Sequence, residues 1–496
     1  MVAVKGPAAT EDQKASEKTT KRVTSAEMAR HCGEGDVWVA VQGKVYDVTA
    51  WLPHHPGGDL PLLSLAGQDV TDAFVAYHPA SAWRVLDRYR VATLSDYAVS
   101  EVSRDYRRLV AEFAKAGLFD RKGHGCAASL CAMAALLAGA IWLVLATTNV
   151  AAHMAAAIML GFLWMQSGFL GHDSGHYGSV WLSGWSLALE KRPISTYLGS
   201  QAQEEFLHPA SQTEEANQAT KQKKVVSREP GQTIYRQPNA PYMVMRSGLL
   251  NRVVQLVAGN CVAGISIGWW KRNHNAHHIA CNSLDHDPDV QHMPLFAVSP
   301  RLFASITSAF YRRAMRFDAA ARFLVSYQHW TFYPVMCVAR VNLFAQSLLL
   351  LLAADTRTRV PGRLAELAGV AVFWVWYPWL VSRLPGGVHE HAAFVLLSFA
   401  VTGIQHVQFC LNHFSAGTYT YVGRPRGDDW FQKQTRGTLD VACPPWMDWF
   451  HGGLQFQVEH HLFPRLPRCH LRRVAPLVRD LCRKHGLPYE RCGFWC

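Results

Sequence analysis

Apolar and polar positions divide this chain into three regimes. Residues 1–21 are polar and charged without an apolar run, which predicts a flexible tail and no cleavable signal peptide. From 22 to 97 the pattern is short and alternating. Val37-Trp-Val-Ala-Val41 and Lys44-Val-Tyr-Asp-Val48 flank Gln42-Gly43 and predict a β-hairpin. Charged residues from Glu101 to Arg121 predict a helix within a linker at 98–124. Beyond 125 long apolar stretches take over. Cys126–Thr147 and Val150–Leu170 are each long enough to cross a bilayer, and their short connection predicts a helical hairpin. Further apolar stretches cover Val338–Ala354, Leu367–Val381 and Phe394–Leu411. Val253–Trp270 is also apolar, but Asn260, Ser266 and its glycines predict a place at the interface or against protein. The expected fold class is an amino-terminal α+β domain followed by an all-α, multi-span membrane domain over 125–496.

Composition agrees with a membrane partner. Hydrophobic residues make up 49% and charged residues 17% of the chain, with 17 Trp. The net charge of +12 admits nucleic acid or anionic lipid as partner. No nucleic-acid motif is present. Arg121 and Lys122, Lys271 and Arg272, and Arg472 and Arg473 flank apolar stretches, which favours the bilayer and no nucleic acid. The 12 cysteines show no framework spacing and read as reduced thiols.

Chemistry concentrates in three histidine clusters: His172-Asp-Ser-Gly-His176, His274-Asn-Ala-His277-His278 and Gln457-Val-Glu-His460-His461. The i,i+3 and i,i+4 intervals of the first two aim imidazoles at one side of a helix. Clustered nitrogens without thiolates suit iron, copper or zinc, and seven are too many for one tetrahedral zinc, so a metal pair is expected. If the clusters share one centre, an even number of crossings separates them. Val338–Ala354, which holds Arg340 and Asn342, is the stretch then expected not to span. The amino-terminal region also carries His55-Pro-Gly-Gly58 and His78-Pro79; two histidines facing each other across a cleft could hold a haem iron from both sides, an arrangement for electron transfer.

The His-Pro-Gly-Gly motif resembles cytochrome b5, which implies His55 and His78, not His54, as axial ligands of haem b. The three boxes, with Gln457 opening the third, resemble the cytochrome b5-fused front-end desaturases. Three stretches are most similar to plant-type sphingolipid delta-8 (long-chain base) desaturases: His278–Leu284, Arg322–Pro334 and Trp446–Phe456. Delta-6-type front-end acyl-lipid desaturases share much of this text and stay open as the alternative. An electron relay without its own oxidase site and a hydroxylase with the same boxes stay open as further readings.

The resemblance implies two non-haem iron ions on His172, His176, His274, His277, His278, His460 and His461, with His413 as an eighth ligand. It implies O2 as co-substrate, electrons from NADH through a cytochrome b5 reductase, and a sphingoid base or ceramide as lipid substrate. It also implies a multi-pass endoplasmic reticulum protein with haem domain and boxes on the cytosolic side. Asp173, Asn275 and Glu459 are expected to orient imidazoles, and Gln457 to meet metal-bound water. His406 is expected near the centre without binding metal, and His329 to pack or line the substrate channel. Trp269, Trp270, Trp446 and Trp449 are expected as interfacial anchors, and Asp285–Asp289 as a solvated turn. His286 and Arg272 depart from the family pattern. The Ser-, Gln- and Lys-rich stretch 178–242 interrupts it, and reads as a retained intron or a disordered loop.

Overall fold

The computed structural model describes residues 21–79, 81–120, 124–177, 248–353, 360–415, 417–427 and 430–493. The expectations for the tail at 1–20 and for the 178–242 stretch lie outside the described residues.

The amino-terminal domain is a small mixed sheet with helices. Its strands are β1 (Arg22–Val23), β2 (Cys32–Gly33), β3 (Asp36–Val41), β4 (Lys44–Asp47), β5 (Gln68–Asp69) and β6 (Arg90–Leu94). They are ordered β1-β6-β4-β3-β2, with β5 parallel to β3. The expected hairpin is β3–β4, paired from Trp38 with Asp47 to Val41 with Lys44. Gln42 and Gly43 turn it with φ of 51° and 73°, the double positive φ whose twist matches paired strands. Two short helices, α1 (Leu60–Leu65) and α2 (Thr71–Tyr77), carry the chain between the two expected haem ligands.

Helix α3 (Glu101–Lys115) is amphipathic. Tyr106, Val110 and Phe113 are buried in a core shared by the amino-terminal domain and the carboxy-terminal segment around Phe463 and Val478. The Tyr106 hydroxyl donates to the Leu462 carbonyl at 2.7 Å. Burying each aromatic side chain stabilises this junction by about 2–3 kcal/mol, so the linker fixes the two parts together.

Among the described residues, four helices are long and apolar enough to cross a membrane: α4 (His124–Ala146), α5 (Val150–Tyr177), α7 (Arg363–Val381) and α8 (Gly387–Phe414). Helices α5 and α8 have 28 residues each. At 1.5 Å per residue that is about 42 Å, against a hydrocarbon core of about 30 Å. Their last turns, with His172 and His176 on α5 and His413 on α8, can therefore project beyond the apolar layer.

The remaining apolar stretches are bent. Gly248–Val262 and α6 (Ile267–Ala280) meet at 108°, and Gln328–Val338 and Arg340–Leu352 at 63°. The sharper bend has an identifiable cause. Gly264 adopts φ of 72°, and Ser266 caps α6 by accepting from Trp269 N–H. The Glu366 carboxylate accepts from the Ser266 hydroxyl at 2.6 Å and from Gly268 N–H at 2.9 Å. Arg340, expected to mark a non-spanning stretch, is buried at the second bend, donates to the Ala263 carbonyl and lies 4.0 Å over the Trp164 ring. The first bend turns the chain so that α6 delivers the second histidine cluster to the end of α5.

The amino-terminal domain docks through its cleft-forming loops. Arg424 donates to the Leu63 and Ala66 carbonyls at 2.8 Å each, satisfying the free end of α1. Gln68 and the loop at Pro425 and Gly427 exchange hydrogen bonds of 3.1 and 2.9 Å. The approach is close: a Cβ on Gly427 would lie 2.0 Å from the Asp69 carbonyl oxygen. Arg465 donates to the His78 carbonyl at 2.6 Å, and Asn275 to that of Gly57 at 3.1 Å.

Candidate functional site

The three clusters converge from α5, α6 and α10 (Gln457–Leu462), and His413 joins them from the end of α8. Imidazoles of His172, His176, His274, His278 and His460 form one group, and those of His277, His413 and His461 another. Within the first, Nε2 atoms face one another directly: His172 to His460 at 3.0 Å, His176 to His274 at 3.2 Å, His274 to His278 at 2.9 Å and His278 to His460 at 3.0 Å. A chain of such contacts cannot be satisfied by imidazole protons alone, since each neutral ring has one N–H. Two nitrogens bound at right angles to one metal by bonds of about 2.1 Å lie about 3.0 Å apart, and the spacing fits that arrangement.

The second group is aimed by oxygen partners. Asp287, fully buried, accepts from His277 Nδ1 at 2.9 Å. The Gly437 carbonyl lies 3.2 Å from His413 Nδ1, and the Gln434 amide oxygen lies 2.8 Å from His461 Nδ1. Each bond fixes the tautomer that leaves Nε2 as a lone-pair donor. His461 Nε2 is buried without a hydrogen-bond partner. An orphaned imidazole nitrogen at the meeting point of three rings fits a metal ligand.

Burial and the surrounding imidazoles hold His274, His278, His460 and His461 well below the usual histidine range, so these rings are neutral. His277 behaves differently. Burial disfavours its charged form, yet Asp287 and Asp289 outweigh that and lift it to about 9, so His277 must release its Nε2 proton when it takes a metal. Asp287→Asn is expected to cut affinity for the metal held by His277 about 10–100-fold, measured as non-haem iron retained after dialysis against chelator.

In the amino-terminal cleft the His55 and His78 rings lie 5.9 Å apart, centre to centre. His55 Nδ1 donates to the Gly58 carbonyl at 2.6 Å and His78 Nδ1 to that of Phe74 at 3.1 Å. Both Nε2 atoms are left to a group between the rings. Two axial bonds of about 2 Å set ring centres about 6 Å apart, so the pair fits a haem iron. His54, set aside in the sequence, is exposed.

Several neighbouring residues stand elsewhere than expected. Asp173 does orient an imidazole, His172 at 3.2 Å, and pairs with Arg468. Asn275 instead bonds the docked domain at Gly57. Glu459 faces the Tyr489 hydroxyl and not a histidine. Trp270, expected as an interfacial anchor, stacks on His274 at 4.5 Å and walls the first group. Trp446 and Trp449 are exposed. His406 bonds the Met336 carbonyl, and His329 neighbours Trp330 away from both groups. Gln457 Nε2 lies 3.0 Å from His413 Nε2. The Asp285–Asp289 run is not merely a solvated turn, because Asp287 is buried to aim His277. Asp287 and Gln434 were missed as orienting residues: an acidic turn and a glutamine carry no spacing signal.

A cleft fitted for bis-histidine haem and a poly-histidine centre at the ends of membrane-spanning helices define a haem-coupled membrane oxidoreductase. Residues 242–493 match the fatty acid desaturase family, and residues 24–95 the cytochrome b5-like heme/steroid binding domain. The Delta(8)-fatty-acid desaturase 2 of Arabidopsis thaliana is 51% identical over 97% of this chain and 92% of its own length. The acyl-lipid (9-3)-desaturase of Borago officinalis is 49% identical over 96% and 90%. The Delta 8-(E)-sphingolipid desaturase of Emericella nidulans is 40% identical over 49% and 45%. The chain belongs to the fatty acid desaturase family, in the form that carries a cytochrome b5-like domain at its amino-terminal end. It is a membrane oxidoreductase, and the first histidine box lies ahead of the family match, before the 178–242 stretch.

Proposed function

We propose that this chain introduces a double bond at the delta-8 position of the sphingoid long-chain base of sphingolipids, consuming O2. His55 and His78 hold haem b. His172, His176, His274, His278 and His460 hold one non-haem iron ion, and His277, His413 and His461 the second. The observation that carries the two-centre reading is the docking of the haem cleft on α6, the helix that bears the second box. Bound iron supplies the oxidising power, with O2, that breaking an unactivated C–H bond demands.

The protein's own residues do the rest. Asp287, Gln434 and the Gly437 carbonyl hold protons on Nδ1 so that Nε2 stays free. Trp270 shields one flank of the imidazoles, and burial excludes water from the reacting space. The lipid enters from the bilayer. Two electrons per turnover come from NADH through a cytochrome b5 reductase acting on the haem. Residence in the endoplasmic reticulum, with haem domain and boxes on the cytosolic side, is part of this proposal; the docking of the haem cleft beside the boxes supports only that both centres share one side of the membrane.

The delta-8 position is supported by the names of the relatives from Arabidopsis thaliana and Emericella nidulans, and the sphingolipid substrate by the name of the second. The borage relative, at almost the same identity, favours a front-end acyl-lipid desaturation as second reading. Expression in yeast decides between them by analysis of long-chain bases and fatty acids. The expected result is a new delta-8 unsaturated long-chain base. New double bonds in fatty acids alone would transfer the assignment to acyl lipids.

A further inference from the structure

Tyr77 directly precedes the haem ligand His78 in the chain, yet its ring points away from the haem cleft into the other domain. It meets His278 edge-on, with ring centres 6.0 Å apart and planes at 89°. His278 is the imidazole at the crossing of the first group, 2.9 and 3.0 Å from His274 and His460, and it stacks on His461 of the second at 4.1 Å. Its Nδ1 is buried without a hydrogen-bond partner, unlike those of His277, His413 and His461. The docked domain thus meets, through an aromatic ring, an imidazole that lacks the oxygen anchor of His277, His413 and His461. Trp430 holds Tyr77 from a second side at 5.8 Å, and Arg465 pins the His78 carbonyl.

We propose that the Tyr77 ring is the electronic bridge between the haem and the non-haem iron pair, which deepens the two-centre reading above and rests on it. Tunnelling falls steeply with distance and with each gap crossed. The route from His78 through one peptide bond to Tyr77, and across one ring contact to His278, has a single through-space step. The competing route from Gly57 through Asn275 crosses a hydrogen bond and then further bonds to reach an imidazole. With both groups bound, each transfer would move one electron from ferrous haem iron to one ferric ion of the pair. No bond forms or breaks. The Tyr77 hydroxyl is buried without a hydrogen-bond partner, so no base takes its proton and the ring conducts without being oxidised. The ring, not the hydroxyl, is therefore the requirement.

The test uses the full-length protein loaded with haem and iron, without oxygen. A photogenerated flavin radical reduces the haem, and haem absorbance then reports its reoxidation by the ferric pair. Tyr77→Phe is expected to stay within about twofold of the parent rate, and Tyr77→Leu, which fills the space without a π-system, to slow at least tenfold. Haem spectrum, haem potential and non-haem iron content should be unchanged in both. Parent-like reoxidation in Tyr77→Leu overturns the bridge, as does Tyr77→Phe falling with it. Loss of iron or an altered haem spectrum in Tyr77→Leu also overturns it, in favour of a packing role. If the parent haem is not reoxidised although non-haem iron is present, the two-centre reading itself fails.

Discussion

Replacing His461 by alanine is expected to abolish desaturation while leaving the haem spectrum intact. His461 belongs to the three-imidazole group, and its Nε2 is buried with no protein partner. Loss of an orienting partner alone costs about 10–100-fold in metal affinity. Loss of a ligand should exceed that, so the second iron should be absent at ordinary concentrations and product formation should fall by at least about a hundredfold. The haem pocket is not touched, because His55 and His78 take their orientation from Gly58 and Phe74 within their own domain. The measurement is non-haem iron per haem in the purified protein, together with product. A variant that keeps both irons and normal turnover would remove His461 from the centre. Gln434→Leu is the milder companion: it deletes the acceptor at 2.8 Å from His461 Nδ1 and frees the ring to turn, so iron should be retained but weakly held.

How much of this centre could be read from the chain depends on the range of the interaction that makes each part. Helical intervals are local, so the pairing of His172 with His176, and of His274 with His277 and His278, was legible before any fold was known. His413 was legible because it ends an apolar stretch, which places it at a membrane boundary like the boxes. Asp287 was not. Its text, Asp285-His-Asp-Pro-Asp289, is that of an exposed turn, and only the backward fold of that turn onto α6 buries it against His277.

Gln434 acts on His461 from another helix, α9 (Trp430–Gly437), and an isolated glutamine has no pattern to betray it. Trp270 was read from composition as a lipid anchor, but its position four residues before His274 puts it on the same helical face as the box. The docking of the two domains was the least legible feature. It is made by backbone carbonyls of Leu63, Ala66, Gly57 and His78 meeting side chains hundreds of residues away. The span pattern was partly legible: length and hydropathy picked the four straight helices. The cause of the 108° bend, Glu366 capping a turn opened by Gly264, is long-range.

Replacing His78 by alanine should produce the complementary loss. One axial imidazole disappears from a pair 5.9 Å apart, so the six-coordinate haem spectrum should vanish or give way to that of a weakly held, five-coordinate haem. Burial pushes the His78 imidazole down to about 3, keeping it neutral and ready to bind iron across the physiological pH range. Alanine offers no donor in its place. Product formation should drop by at least about a hundredfold, because electrons no longer reach the non-haem pair through the docked domain. Non-haem iron should stay at the parent level, since none of the eight clustered histidines takes its orientation from the His78 side chain. Docking should survive as well: Arg465 bonds the backbone carbonyl of residue 78, and Arg424 bonds carbonyls of α1. The contrast with His461→Ala is the discriminating feature, one variant losing haem and keeping iron, the other the reverse. A His78 variant with normal turnover would mean that electrons enter the iron pair without the fused haem, and the docked domain would then need another purpose.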